Sequence, residues 1–197
     1  CVGTWWRALQ SGPLPPDLAW RDRLHRLGLH RADLVFAPSR SFATATRDHH
    51  CLPREPHVVR NGRAAARLAD TALHDFAFTA GRLWDAGKNL ALLDRAAGRL
   101  AIPFKAAGAR VAPHGATIDL ANIHCLGQLD DVGIGEQLAA RPIFVSAARY
   151  EPFGLAVLEA AAAGCALVLA DIPTFRELWE GVAVFVDPGD DAGFADA

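Results

Sequence analysis

Six short runs of nearly unbroken apolar residues, at 75–81, 103–108, 123–127, 143–147, 166–170 and 182–186, constrain the fold of this chain more than any other feature. A strand with one wet face alternates apolar and polar side chains, whereas a strand covered on both faces does not. Segments with helical patterning at 89–100, 133–140, 154–163 and 175–179 fall between these runs, and Gly164 stops the third of them. This alternation predicts an α/β fold, a doubly wound parallel sheet with helices on both faces. Ligands of such sheets lie outside the carboxyl ends of the strands. Gly81-Arg82, Gly108-Ala109, Gly127-Gln128 and residues 150–155 are all expected at that edge.

The first third of the chain reads differently. Residues 19–32 carry apolar groups at helical intervals and predict an amphipathic helix. Residues 34–37 predict a short buried strand, stopped by Pro38. Ser39 or Ser41 can then cap a helix running to His50. Pro53 and Pro56 stiffen an extended connector into 58–62, where Asn61-Gly62 predicts a turn. The chain is expected to divide there, with residues 1–57 in one unit and 58–197 in a second.

Composition serves mainly to exclude. With 197 residues, 51% hydrophobic and 21% charged, and a net charge of -2, the chain has the make-up of an ordinary globular protein. Its dispersed charges form no basic stripe, which argues against nucleic acid as a partner. No apolar stretch approaches the roughly 20 residues needed to span a bilayer. The opening residues lack the layout of a signal peptide, and the lack of any Met predicts a piece of a longer chain. Cys1, Cys51, Cys125 and Cys165 form no C-x-x-C pair and fit reduced intracellular thiols. His49-His50-Cys51 reads as an exposed helix end, because no second group of ligands follows at a metal-site spacing.

The chemistry gathers around residues 151–159, where Glu151 and Glu159 stand eight positions apart around Pro152-Phe153-Gly154-Leu155. A helix starting near Phe153 offers unpaired N–H groups and a positive dipole end to a phosphate, and Gly154 lets that backbone come close. Carboxylates accept from sugar hydroxyls. At 1.5 Å per residue, Glu159 lies about 12 Å along the helix from Glu151, which suits one acid on a transferred sugar and the other on a ribose. Arg82 and Lys88, just after a strand, can neutralise a diphosphate between them. Gly87-Lys88-Asn89 does not complete a P-loop, since position 82 is Arg and position 89 is Asn. Gly133-Ile134-Gly135 lacks the third glycine of a dinucleotide fingerprint.

Taken together, Gly81-Arg82-(x5)-Lys88-Asn89, Leu126-Gly127 and Glu151-Pro152-Phe153-Gly154-Leu155-(x3)-Glu159-Ala160 resemble the retaining GT-B glycosyltransferases of family 4, with Glu151 and Glu159 as their E-x7-E pair. Residues 163–168 and Phe175-Arg176-Glu177-Leu178 also fit the resemblance. Pro38-Ser39 and 59–62 resemble the end of the family's first domain and its hinge strand. The resemblance implies a Rossmann-like donor-binding domain at 58–197 and a remnant of the Rossmann-like acceptor-side domain at 1–57. It implies transfer of a sugar from a nucleoside diphosphate to an unknown acceptor with retention, in glycan or cell-surface polysaccharide synthesis. Arg82 and Lys88 would contact the diphosphate, Glu159 the ribose, and Glu151 the donor sugar near the reacting centre. Phe153, Gly154 and Leu155 would meet sugar and phosphate through their backbones. No metal or other cofactor is implied. The implied location is cytoplasmic, with peripheral attachment at the inner membrane face as a variant. The family's glycine-rich loop, acceptor pocket and final crossing helix have no counterpart in these residues, so the chain is expected to bind donor weakly without turnover. The alternatives are a nucleotide-sugar epimerase of the same fold and a non-catalytic nucleotide-sugar binding module.

Overall fold

The computed structural model describes residues 1–64 and 72–197. Helices α1 (Val2–Leu9) and α2 (Pro16–Arg31) lead into strand β1 (Phe36–Ala37), helix α3 (Arg40–His50) and strand β2 (His57–Val58). Then come β3 (Ala77–Ala80), a 3-10 turn at Ala86–Lys88, α4 (Leu90–Ala97), β4 (Phe104–Ala107), β5 (His124–Gly127) and α5 (Asp131–Ala139). The chain closes with β6 (Ile143–Ser146), α6 (Leu155–Ala162), β7 (Ala166–Ala170), α7 (Pro173–Trp179), β8 (Val184–Val186) and α8 (Asp191–Asp196). Every expected strand and helix is present, within a few residues of its expected ends. Helices α1 and α8 and the 3-10 turn are additions.

β3 to β8 form one parallel sheet in the order β5-β4-β3-β6-β7-β8. The chain begins in the middle, builds outward to β5, then returns to place β6 on the other side of β3. The two directions part between β3 and β6, where the loops leaving adjacent strand ends diverge and open a crevice. The strands are continuous apolar runs because helices cover both faces, and Phe78, Phe144, Leu93, Leu138, Leu169 and Phe175 are all at most 2% exposed. Phe78 on β3 meets Phe144 on β6 edge to face, with centroids 6.1 Å apart. Each buried phenyl contributes about 1.5–3 kcal/mol through removal of apolar surface from water.

Four expectations for the first third need correction. α2 buries no residue, and its apolar stripe of Trp20, Leu24 and Leu27 faces solvent. The side of α2 turned inward instead carries Leu18, Asp22 and Leu29. The strand at 34–37 shrinks to two residues of which only Ala37 is buried, because among the described residues β2 is its one strand partner and Leu34 and Phe36 stay exposed. Asn61-Gly62 makes no turn and lies in a stretch without regular secondary structure. Finally, His50 is fully buried rather than at an exposed helix end, and only Cys51, in the left-handed conformation that closes α3, is exposed. Burial, reinforced by His49 alongside, pushes the His50 imidazole down to about 4, so the ring is neutral.

The two sheets are tied by α3. Ser39 caps it, accepting from Phe42 N at 3.3 Å, and donates its hydroxyl to Pro152 O at 2.7 Å. Glu177 of α7 accepts from Arg40 N at 2.9 Å and Ser41 N at 2.7 Å, two otherwise orphaned donors of the first turn. All four cysteines are free thiols. Among the described residues no helix is long and apolar enough to cross a membrane.

Candidate functional site

The crevice at the parting of β3 and β6 holds a cavity of about 410 Å³. Arg82, Lys88, Glu151, Phe153, Gly154 and Leu155 all line it. Four elements bring them together. β3 ends at Ala80 and delivers Gly81-Arg82, the 3-10 turn delivers Lys88, the loop after β6 delivers Glu151, and α6 presents its first turn.

Local sequence explains each placement. Asp85 caps the 3-10 turn by accepting from Gly87 N at 2.9 Å. The same carboxylate accepts from Arg82 Nη2 at 2.7 Å and Nε at 3.2 Å. Burial works against the charged form of Asp85, but these bonds outweigh it and hold the carboxyl below its ordinary range. Arg82 is thereby held by its guanidinium, which lies 5.8 Å from the Trp84 ring centre, while the side chain remains 65% exposed. Asn89 takes up the left-handed conformation and donates to Ala147 O at 3.2 Å and Pro188 O at 2.9 Å, pinning the end of the turn to the loops beyond β6 and β8. Lys88 then meets Glu151 in an ion pair whose side chains are 24% and 14% exposed.

Glu151 is held from both sides. Its Oε2 takes the Lys88 ammonium, and its Oε1 accepts from Gly154 N at 3.0 Å and Phe153 N at 3.3 Å. The residues between Glu151 and Gly154 are not helical. Helix α6 starts at Leu155, with Gly154 as its cap at φ 93. A side chain at 154 would be strained in that conformation and would press on Phe175 at 3.1 Å. The first helical bond of α6 runs from Leu158 N to Gly154 O, which leaves the N–H groups of 155–157 pointing from the helix start.

This later start means that the helical rise does not measure the Glu151–Glu159 separation. Glu159 lies outside the lining of this cavity and pairs with Arg63, whose Nε sits 2.6 Å from Oε1. Arg63 also reaches Asp131 at 2.6 Å. Neither Arg63 nor the cavity-lining Asn61 was among the expected site residues. Their position on the connector, remote in sequence from β6 and α6, gives no local pattern that would mark them.

A second cavity of about 570 Å³ adjoins the first across Gly81-Arg82. Gly108, Trp84, Gln128 and Leu129 are among its walls. The strand ends of β3, β4 and β5 thus open on one continuous edge, with Arg82 between its two basins. Positive groups, helix-start N–H groups and carboxylates share a semi-enclosed space, an arrangement that can hold a ligand carrying both phosphates and hydroxyls.

Comparison with known proteins agrees with this geometry. Sucrose-phosphate synthase from Thermosynechococcus elongatus superposes with a TM-score of 0.75 at 16% identity, over 100% of this chain and 55% of that one. The structure of Anabaena HepE in complex with UDP and glucose gives 0.73 at 22% identity, over 90% and 56%. A glycosyltransferase from Rickettsia africae gives 0.64 at 14% identity, over 94% and 56%. At these identities the likeness is one of fold, the α/β architecture of GT-B glycosyltransferases, and this chain spans about half the length of these structures. No curated protein matches it significantly. The sequence model described as glycosyl transferases group 1 matches residues 75–197, which takes in the whole six-stranded sheet and every residue expected at the site. The chain belongs to the glycosyl transferases group 1 family.

Proposed function

We propose that this chain carries the donor side of a retaining glycosyltransferase of family 4, which takes a sugar from a nucleoside diphosphate and passes it to an acceptor hydroxyl. The observation that carries the reading is the convergence of Arg82, Lys88, Glu151 and the start of α6 on one cavity at the parting of the sheet. The diphosphate lies against the free N–H groups of α6 and between the two cations. The nucleoside occupies the neighbouring basin near Gln128, and the sugar points towards Glu151. HepE, a neighbour in fold, is described as bound to UDP and glucose, which is the ligand chemistry this edge suits.

In this reading the bond from the anomeric carbon to the diphosphate oxygen breaks, and negative charge grows on the leaving group. Lys88, Arg82 and the α6 dipole stabilise that charge more than they stabilise the bound donor. No metal is required for this step. Glu151, oriented by Phe153 N and Gly154 N, accepts hydroxyls of the transferred sugar and positions its anomeric carbon. Glu159 takes the ribose hydroxyls, and for this Arg63 must give way. Residues 1–57 belong to the acceptor side, and 58–197 form the donor domain.

A thermal-shift panel of UDP-, GDP- and ADP-sugars, with the free sugars as controls, tests the proposal. Saturation at 100 times Kd stabilises a protein by about 2.7 kcal/mol, so one nucleotide class should raise Tm clearly. No shift with any of the three would overturn the reading.

A further inference from the structure

Away from the cleft, three helices meet at a group of side chains that the proposed reaction does not use. Cys1 precedes α1, Asp22 and His25 lie on α2, and His49 and His50 end α3. Ligand atoms of Cys1, His25 and His50 all lie within 4.8 Å of one another, and so do those of Asp22, His49 and His50. Cys1 Sγ is 3.1 Å from His50 Nε2, and His49 Nε2 is 2.8 Å from Asp22 Oδ1. The rings of His25 and His50 stand edge to face at 5.0 Å, those of His49 and His50 at 4.5 Å.

Three facts set this cluster apart from ordinary packing. Between the half-buried Leu18 and Leu29, α2 brings the half-buried Asp22 and the exposed His25 to the junction. His50 is fully buried, yet among the described residues its Nδ1 has no hydrogen-bond partner, and the same holds for Nδ1 of His49. Buried polar groups are rarely left so. Finally, α1 approaches so closely that a Cβ at Gly3 would fall 1.8 Å from His49 Nε2 and 2.3 Å from Asp22 Oδ1. The junction is built around these groups.

We propose that Cys1, His25 and His50 bind a zinc-class divalent cation that clamps α1, α2 and α3 together. A thiolate with two imidazoles is a borderline-soft donor set, suited to Zn²⁺ rather than Mg²⁺ or Ca²⁺. With metal–ligand bonds of about 2.0–2.3 Å, ligands in a tetrahedron stand about 3.3–3.7 Å apart, which the present positions reach by small shifts. On binding, the Cys1 thiol gives its proton to solvent and its sulfur lone pair to the metal. His50 coordinates through one of its ring nitrogens, and solvent reaches the fourth position beside the exposed His25. The Asp22–His49 pair flanks the site. α3 places it about 16 Å from Ser39, the residue that touches the cleft loop, so the metal acts on the helices rather than on the reaction.

The test is titration of the full chain, treated with chelator and with its terminal amine blocked, with Zn²⁺ and separately with Co²⁺. The expected result is one equivalent bound, a raised Tm reversed by chelator, and a tetrahedral Co²⁺ spectrum containing a thiolate charge-transfer band. Cys1→Ser should abolish that band. His25→Asn should weaken Zn²⁺ binding by about tenfold or more. Both positions are at least partly exposed, so both variants should fold, as circular dichroism will verify. Cys51→Ser, the exposed thiol next to His50, should change nothing. Absence of stoichiometric binding, or binding that persists equally in Cys1→Ser and His25→Asn, overturns the proposal.

Discussion

The six-stranded sheet and the two-stranded one grow from equally apolar sequence, yet they end in opposite environments. Phe78 in β3 is 0% exposed, whereas Phe36 in β1 is 59% exposed. Both lie in parallel strands. The difference is the company each keeps: β3 has strands on either side and helices on both faces, while among the described residues β1 has one strand partner, β2, with α3 packed beside it. An apolar run specifies a strand, and its burial depends on what else the chain can lay against it. The well-covered sheet is also where backbone and charge are arranged most tightly, at the parting of β3 and β6.

Truncating the same residue type in each sheet should give very different losses. Phe78→Ala should cost about 3–5 kcal/mol, measured by denaturant unfolding. A loss below about 1 kcal/mol would mean the sheet centre is not the core. Next is the joint between the sheets. Glu177→Gln removes a carboxylate from the α3 N-terminus and should cost about 0.5–2 kcal/mol. Burial opposes the charge on Glu177, but the N–H groups of Arg40 and Ser41 prevail and hold its carboxyl below the ordinary range. The stability it lends is therefore whole above the normal carboxylate pKa of about 4.3 and disappears as pH falls through its lower folded value. In Glu177→Gln that acid-side loss should be smaller, as unfolding measured between neutral and acid pH will show.

Smaller effects follow at the rim. Arg63→Ala breaks a partly exposed ion pair, worth about 0.2–1 kcal/mol. If Glu159 serves the ribose, donor affinity should rise by up to about fivefold, read by titration calorimetry; a fall would assign Arg63 itself to the donor. Phe36→Ala should change stability by no more than about 0.5 kcal/mol. A larger loss would show that something covers β1.

Much of this was legible in the sequence, for physical reasons. Strands covered on both faces cannot alternate, so β3 to β8 declare themselves, and their parallel order follows from the intervening helices except between β4 and β5, where no helix intervenes. Gly154 and Gly164 mark the two ends of α6 through the left-handed backbone each supplies. Arg82, Lys88 and Glu151 sit at strand ends, where topology alone brings them to one edge. What could not be read are pairings across distance. The Arg63–Glu159 contact, the Glu177 cap on α3 and the Cys1–His25–His50 group each join segments far apart in the chain. The periodicity of α2 was equally ambiguous: its stripe at 20, 24 and 27 is helical, but nothing local says which side turns inward. α8 had a readable start in Asp190, which caps it through Gly193 N at 2.9 Å.

In the proposed reaction, Lys88 and its neighbours at the parting of the sheet grip the diphosphate of an activated sugar. Calorimetric titration of wild type and Lys88→Ala with the nucleotide sugar selected by the panel tests it most directly. Loss of a charge-assisted contact of about 1.5–3 kcal/mol predicts binding weaker by about tenfold to a hundredfold, with the fold intact. Equal affinity in the two proteins would contradict the account.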